Sequence, residues 1–234
     1  MRRLLLALFL FVAACGTAAA DDLIGRYDGM GSTPDNKNYK ASVEIQEQGQ
    51  VYIVLWKLAD GAAYEGIGLR QGDTLGSAYG PHGSKFGLYV YQISGGTLTG
   101  TWADSTDLKS ELGRETLEGS ANLNGEYKVT LGQNRDGLTN YDGSVMLQPN
   151  GDTYVVIRNI GKRTTIGVAV RLGDLLVVAT GLGKQMPGVV AYEKKGNNSL
   201  SGIWASIALR KTGDTSVTIS ASKKAGSETL VRAP

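Results

Sequence analysis

The chain has 234 residues with one cysteine, one histidine, and 24 Lys and Arg against 22 Asp and Glu. One thiol excludes an intramolecular disulfide, one imidazole leaves no zinc-type ligand set, and near-neutrality lacks the basic excess of a nucleic-acid binder. With 33 glycines against 5 prolines, and β-branched and aromatic runs between turn residues, the composition describes an all-β chain.

Residues 1–20 read as an export signal. Arg2 and Arg3 precede an apolar run from Leu4 to Val12 that is too short to span a bilayer. Two processing patterns compete. Val12-Ala13-Ala14-Cys15 has the shape of a bacterial lipobox, with Cys15 as the lipidation site. Ala18-Ala19-Ala20 has the shape of an ordinary signal-peptidase site. The expected protein is exported, either lipid-anchored in the outer membrane or periplasmic, with the membrane contacted through the N-terminal lipid.

Strands are expected over Gly25 to Met30, Tyr39 to Ile45, Val51 to Trp56, Ala63 to Leu69, Thr74 to Ala78, Leu88 to Ile93, Thr97 to Ala103 and Arg114 to Glu118. Tyr39, Ala41, Val43 and Ile45 alternate with polar residues, the pattern of a half-buried strand. Val51 to Leu55 is apolar on both faces and so needs cover on both.

The same series then returns. Leu98-Thr99-Gly100-Thr101-Trp102 recurs as Leu200-Ser201-Gly202-Ile203-Trp204, and Gly49, Tyr52 and Val54 recur as Gly151, Tyr154 and Val156. Arg70, Gly72 and Asp73 recur as Arg171, Gly173 and Asp174, and Glu115 recurs as Glu228. The register shift after Trp204 implies an insertion, an extra strand around Val217 to Ser220. Eight short strands per repeat suit an up-and-down barrel, which removes its edges by closing on itself. The expected architecture is all-β, with two tandem antiparallel barrels at 21–118 and 125–234 joined by a linker at 119–124. The inward Trp102, or a neighbouring side chain, is expected to lie against Gly100.

Charge divides unevenly between the repeats. Residues 21–124 carry 8 basic and 14 acidic groups, and residues 125–234 carry 14 and 8. This predicts halves docked by opposed fields, within one chain or head-to-tail between chains, with the doubly apolar strands Val51 to Leu55 and Tyr154 to Ile157 covered in that contact.

No catalytic constellation is present, so no enzyme, cofactor or metal is expected. His82 lies in a turn-like Gly80-Pro81-His82-Gly83 with no nucleophile elbow to serve. The recurrence of Arg70, Gly72, Asp73 and Glu115 fits either a duplicated binding site or a structural need: Gly-Asp for a hairpin turn, Glu for a strand-end hydrogen bond. Aromatic residues concentrate in the first repeat, where Tyr52, Trp56, Tyr64, Tyr89, Tyr91 and Trp102 could line a barrel able to hold a small apolar ligand.

The run Gly25-x-Tyr27, Tyr39, Gly49, Val54-x-Trp56, Gly66-x-Gly68, Gly72-Asp73-x-Leu75, Val90-Tyr91 and Leu98-x-Gly100-x-Trp102 resembles small exported bacterial β-barrel modules often labelled fibronectin-binding protein. At fold level it is also similar to avidin-type and lipocalin-type barrels. The resemblance implies a non-catalytic, adhesin-like binder of an extracellular or envelope protein. The aromatic first repeat leaves a small-ligand carrier as the alternative.

Overall fold

A computed structural model describes residues 23–182, 186–212 and 216–234; residues 1–20, expected to be an export signal, and Cys15 within them lie outside the described residues. The first repeat forms β1 (Gly25–Ser32), β2 (Asn38–Gln48), β3 (Val51–Leu58), β4 (Ala63–Gln71), β5 (Thr74–Gly80), β6 (Phe86–Ser94), β7 (Thr97–Asp104) and β8 (Gly113–Glu118). The second forms β9 (Gly125–Gln133), β10 (Gly143–Asn150), β11 (Thr153–Ile160), β12 (Arg163–Leu172), β13 (Leu175–Gly181), β14 (Gly188–Lys195), β15 (Ser199–Thr212), β16 (Ser216–Ala221) and β17 (Gly226–Arg232). Every expected strand falls within one of these, and β16 is the inserted one. Pairing is antiparallel throughout, in two closed eight-stranded barrels.

The barrels do not coincide with the spans 21–118 and 125–234. β5 pairs with β14, not with β6, and β13 pairs with β6. The first barrel is therefore β1 to β5 closed by β14, β15 and β17, and the second is β9 to β13 closed by β6, β7 and β8. Each repeat lends its last three core strands to the other, an exchange of identical elements within one chain. Proline marks both crossings: Pro81 follows β5 and Pro187 precedes β14. A residue with no N–H, which also holds its predecessor extended, favours a crossing over a tight hairpin.

Exchange also redistributes charge. Residues 21–80 with 188–234 carry 12 basic and 12 acidic groups, and residues 81–187 carry 10 and 10. The opposed fields of the linear halves thus cancel within each barrel, and shared strands rather than charge join the halves.

Alternation puts one face of each strand inside its barrel and the other outside. Tyr27, Val43, Ile45, Val54, Leu75 and Leu230 fill the first interior, and Leu98, Leu117, Tyr127, Val145, Val156 and Leu176 the second. A third apolar cluster lies between the barrels, from Val51, Ile67, Leu69 and Ala78 to Val90, Val170, Val177, Ala179, Val189 and Ile207. This explains why β13 is buried along its whole length and β5 nearly so. Val51 and Ile53 do join this contact, as their double apolarity requires. Their counterparts Thr153 and Val155 are not in this cluster, Tyr154 and Val156 of the same strand belong to the second interior, and β12 and β13 supply its side of the interface. At the β15–β16 hairpin, Asn150 Nδ2 donates to the carbonyls of Ala221 and Ser222 at 3.3 and 3.2 Å, tying the barrels a second time.

The indoles of Trp102 and Trp204 do not lie against Gly100 and Gly202. They pack over Gly113 and Gly226, where a Cβ would fall 2.1 and 2.3 Å from ring atoms. Gly100 instead accommodates the Val90 carbonyl and Gly202 the Tyr192 ring.

Strand exchange has a direct test. A protease site inserted after the exposed Ala121, in the 119–124 segment between β8 and β9, should be cut without releasing either fragment. Size-exclusion chromatography should show one particle until denaturant is added. Two separate barrels after the cut would contradict the exchanged pairing.

Candidate ligand-binding site

The first barrel is hollow at one end. Tyr39 from β2, Trp56 from β3, Tyr64 from β4, Tyr79 from β5, Val190 and Tyr192 from β14, Trp204 from β15 and Glu228 from β17 line a cavity of about 460 Å³. It opens past the exposed Lys37, Asp60 and Pro81. The walls are aromatic: Trp56 and Tyr64 each pack on Tyr79, with ring centres 5.4 and 5.8 Å away, and Tyr39 meets Trp204 edge-on at 6.3 Å.

Glu228 is the cavity's buried acid, 4% exposed. Its Oε2 accepts from the Tyr192 hydroxyl and from Trp56 Nε1 at 3.3 Å, and Tyr39 donates as well. No cation among the described residues pairs with it. Burial pushes its carboxyl above the ordinary range, and the donors from Tyr192, Tyr39 and Trp56 only partly oppose this.

The second barrel holds the same frame, filled. Glu115, 1% exposed, accepts from the Tyr91 hydroxyl and from Tyr141 at 2.8 Å, as Glu228 does from Tyr192 and Tyr39. At the position of Trp56 stands Arg158. Its guanidinium donates to both Glu115 oxygens at 2.6 and 2.9 Å and lies 3.9 Å above the Tyr89 ring. Tyr89 stacks between Tyr91 and Trp102, with ring centres 6.1 and 5.8 Å away. The first barrel has Val190 at that place, and the missing ring is part of its hollow. Burial pushes Glu115 up too, but the Arg158 charge and the hydrogen bonds of Arg158, Tyr91 and Tyr141 outweigh it and leave the carboxyl below its usual range. One cation thus reverses the direction of the shift at equivalent sites.

Of the residues singled out in the sequence, Trp56 and Tyr64 are on the cavity wall. Tyr52 is buried in the same barrel away from the cavity. Tyr89, Tyr91 and Trp102 lie in the other barrel, carried there by the exchange. Composition could not single out Tyr39, Tyr79, Tyr192, Trp204 or Glu228; the recurrence of Glu115 as Glu228 was the available signal. Arg70 and Arg171 are structural, each donating through Nε at 2.9 Å to the carbonyl of Gly72 or Gly173 in a left-handed turn. His82 is exposed and paired with Glu65 at 2.8 Å. Among the described residues neither the indole N–H of Trp204 nor that of Trp102 meets an acceptor in hydrogen-bond geometry, so this belongs to their shared packing and not to the cavity, although Trp204 lies close enough to Tyr39 to act on its hydroxyl.

Among the described residues, no group of three or more candidate metal ligands occurs and no helix is long and apolar enough to cross a membrane. The chain matches no protein-family profile, no curated protein and no solved structure.

The raised Glu228 fixes the sign of a pH effect. Its folded carboxyl holds a proton to higher pH than its unfolded one, so its contribution to stability is greatest below the unfolded pKa. That contribution falls as pH rises through the window up to the folded pKa. Glu228→Gln removes the decline. Its melting temperature relative to the unaltered chain should therefore rise between pH 4 and pH 8, by roughly 2–4 °C for each kcal/mol. A relative fall over that range would mean that Glu228 is held as a stabilised anion.

Proposed function

We propose that this chain is a non-catalytic binding protein whose first barrel takes a small molecule into the aromatic cavity. The supporting observation is the difference between duplicated sites: the second barrel is packed with Tyr89 and the Arg158–Glu115 pair, whereas the first keeps the carboxylate and leaves the space. An eight-stranded barrel is just wide enough for one such ligand, and aromatic walls with few polar groups are typical of ligand sites. Export and anchoring through Cys15 complete the reading, placing the protein at the cell envelope. No comparable observation supports the adhesin-like reading. The exposed large apolar side chains among the described residues, Met30, Leu55, Leu131, Leu138 and Val231, are divided between the two barrels.

The chain has three tryptophans, so its indole N–H signals form a simple reporter. Trp56 and Trp204 line the cavity and Trp102 lies in the other barrel. Fragment-sized probes should shift the first two signals and not the third. Val190→Tyr, which restores the ring of the filled barrel, should weaken binding at least about tenfold. Binding that shifts Trp102, or that survives Val190→Tyr, would place the site elsewhere.

A further inference from the structure

On the reading that the cavity is a binding site, we infer that its ligand carries a planar organic cation, of the guanidinium or amidinium type, that pairs with Glu228. The duplication supplies the template. Both barrels hold a buried glutamate between two tyrosine hydroxyls, Tyr91 and Tyr141 in one, Tyr192 and Tyr39 in the other. In the second barrel the chain brings its own guanidinium to that carboxylate, bidentate and stacked on an aromatic face. In the first barrel the glutamate and its two tyrosines recur, but Trp56 donates in place of the guanidinium, Val190 replaces the ring, and no cation among the described residues is paired with the acid.

A buried carboxylate without a cation is costly, and nothing in closing the barrel requires one. Tyr192 and Trp56 donate to Oε2 and Tyr39 donates as well, which is three donors on a carboxylate that can accept about four, so acceptor capacity remains. A guanidinium matches it because its paired N–H donors reach carboxylate oxygens together and its flat faces rest on aromatic rings. Tyr64, Tyr79 and Trp204 supply such rings. The hydroxyls of Tyr39, Tyr79 and Tyr192 are held up by burial and by the charge of Glu228, so they remain neutral donors and add no competing anion. At the open end Lys37 and Asp60 carry opposite charges, which leaves Glu228 as the unbalanced group that a ligand must answer.

The test uses the full mature chain with three probes of matched size: butylguanidinium, the neutral butylurea and the anionic pentanoate. Calorimetry gives affinity and the indole signals give location. Butylguanidinium should shift Trp56 and Trp204, leave Trp102 in place, and bind at least about tenfold more tightly than butylurea. Glu228→Gln should erase that preference while the protein still melts cooperatively. The ratio of the two probes on the unaltered chain is decisive even if the variant fails to fold. Butylurea binding within about threefold of butylguanidinium overturns the cationic ligand and leaves the cavity reading standing. If no probe moves Trp56 or Trp204 at about 10 mM, both readings fall.

Discussion

Arg158→Met should destabilise the protein by about 3–5 kcal/mol, because it strands a buried carboxylate. Arg158 is 2% exposed and Glu115 1%, so neither charge can turn to water when its partner is removed. The substitution also takes the guanidinium from the face of Tyr89. Glu115→Gln should cost a similar amount for the mirror reason, leaving the guanidinium buried and unpaired. The two losses should not add. Glu115→Gln with Arg158→Met removes both charges, keeps an acceptor for Tyr91 and Tyr141, and should recover most of the stability. Chemical denaturation of the three variants gives the cycle. Acid supplies a second check. The depressed carboxyl of Glu115 contributes stability that is complete above its unfolded pKa and is lost as pH falls through the folded value. Arg158→Met should therefore lose its disadvantage progressively toward acid. A cost below about 1 kcal/mol at neutral pH would show that the pair does not hold the second barrel together.

Trp56→Arg should convert the hollow barrel into a likeness of the filled one. The new guanidinium would stand where Trp56 Nε1 now lies 3.3 Å from Glu228 and 3.1 Å from the Tyr192 hydroxyl. Arg158 stands in the same relation to Glu115 and Tyr91, the latter at 3.0 Å. The cation comes from the chain, so an added butylguanidinium should bind at least about tenfold more weakly. Glu228 should titrate lower, as Glu115 does. Loss of the indole alone, in Trp56→Ala, should cost about 3–5 kcal/mol as a large-to-small change in a core. Trp56→Arg should cost clearly less, because the new ion pair offsets part of that loss. If Trp56→Arg melts no higher than Trp56→Ala, the two barrels do not share one interchangeable frame.

The amino-acid sequence alone determined the strands and their repetition. Period-two alternation in Tyr39 to Ile45 and turn residues such as Gly49 and Gly72 are local signals, and local signals place strands. The inserted β16 followed from the same reasoning, as a shift of register after Trp204. A smaller part of the site was legible too: Trp56 and Tyr64 as aromatic lining, and Glu228 as a residue kept in both repeats.

Only the tertiary structure decided which strands close which barrel. β6 and β14 are copies of one another, so β5 finds the same alternating partner in either, and periodicity is indifferent between them. The exchange then moved Tyr89, Tyr91 and Trp102 out of the barrel that their sequence neighbours Trp56 and Tyr64 build. It also cancelled the charge asymmetry of the linear halves. The difference between a hollow and a filled barrel was likewise a matter of three dimensions. Arg158 shares the inward period of Tyr154 and Val156, but only the folded chain brings Glu115 onto it, and only there does Val190 leave a ring missing in the barrel of Glu228. Burial and the distance between opposite charges set these energies, and both depend on residues far apart in the chain.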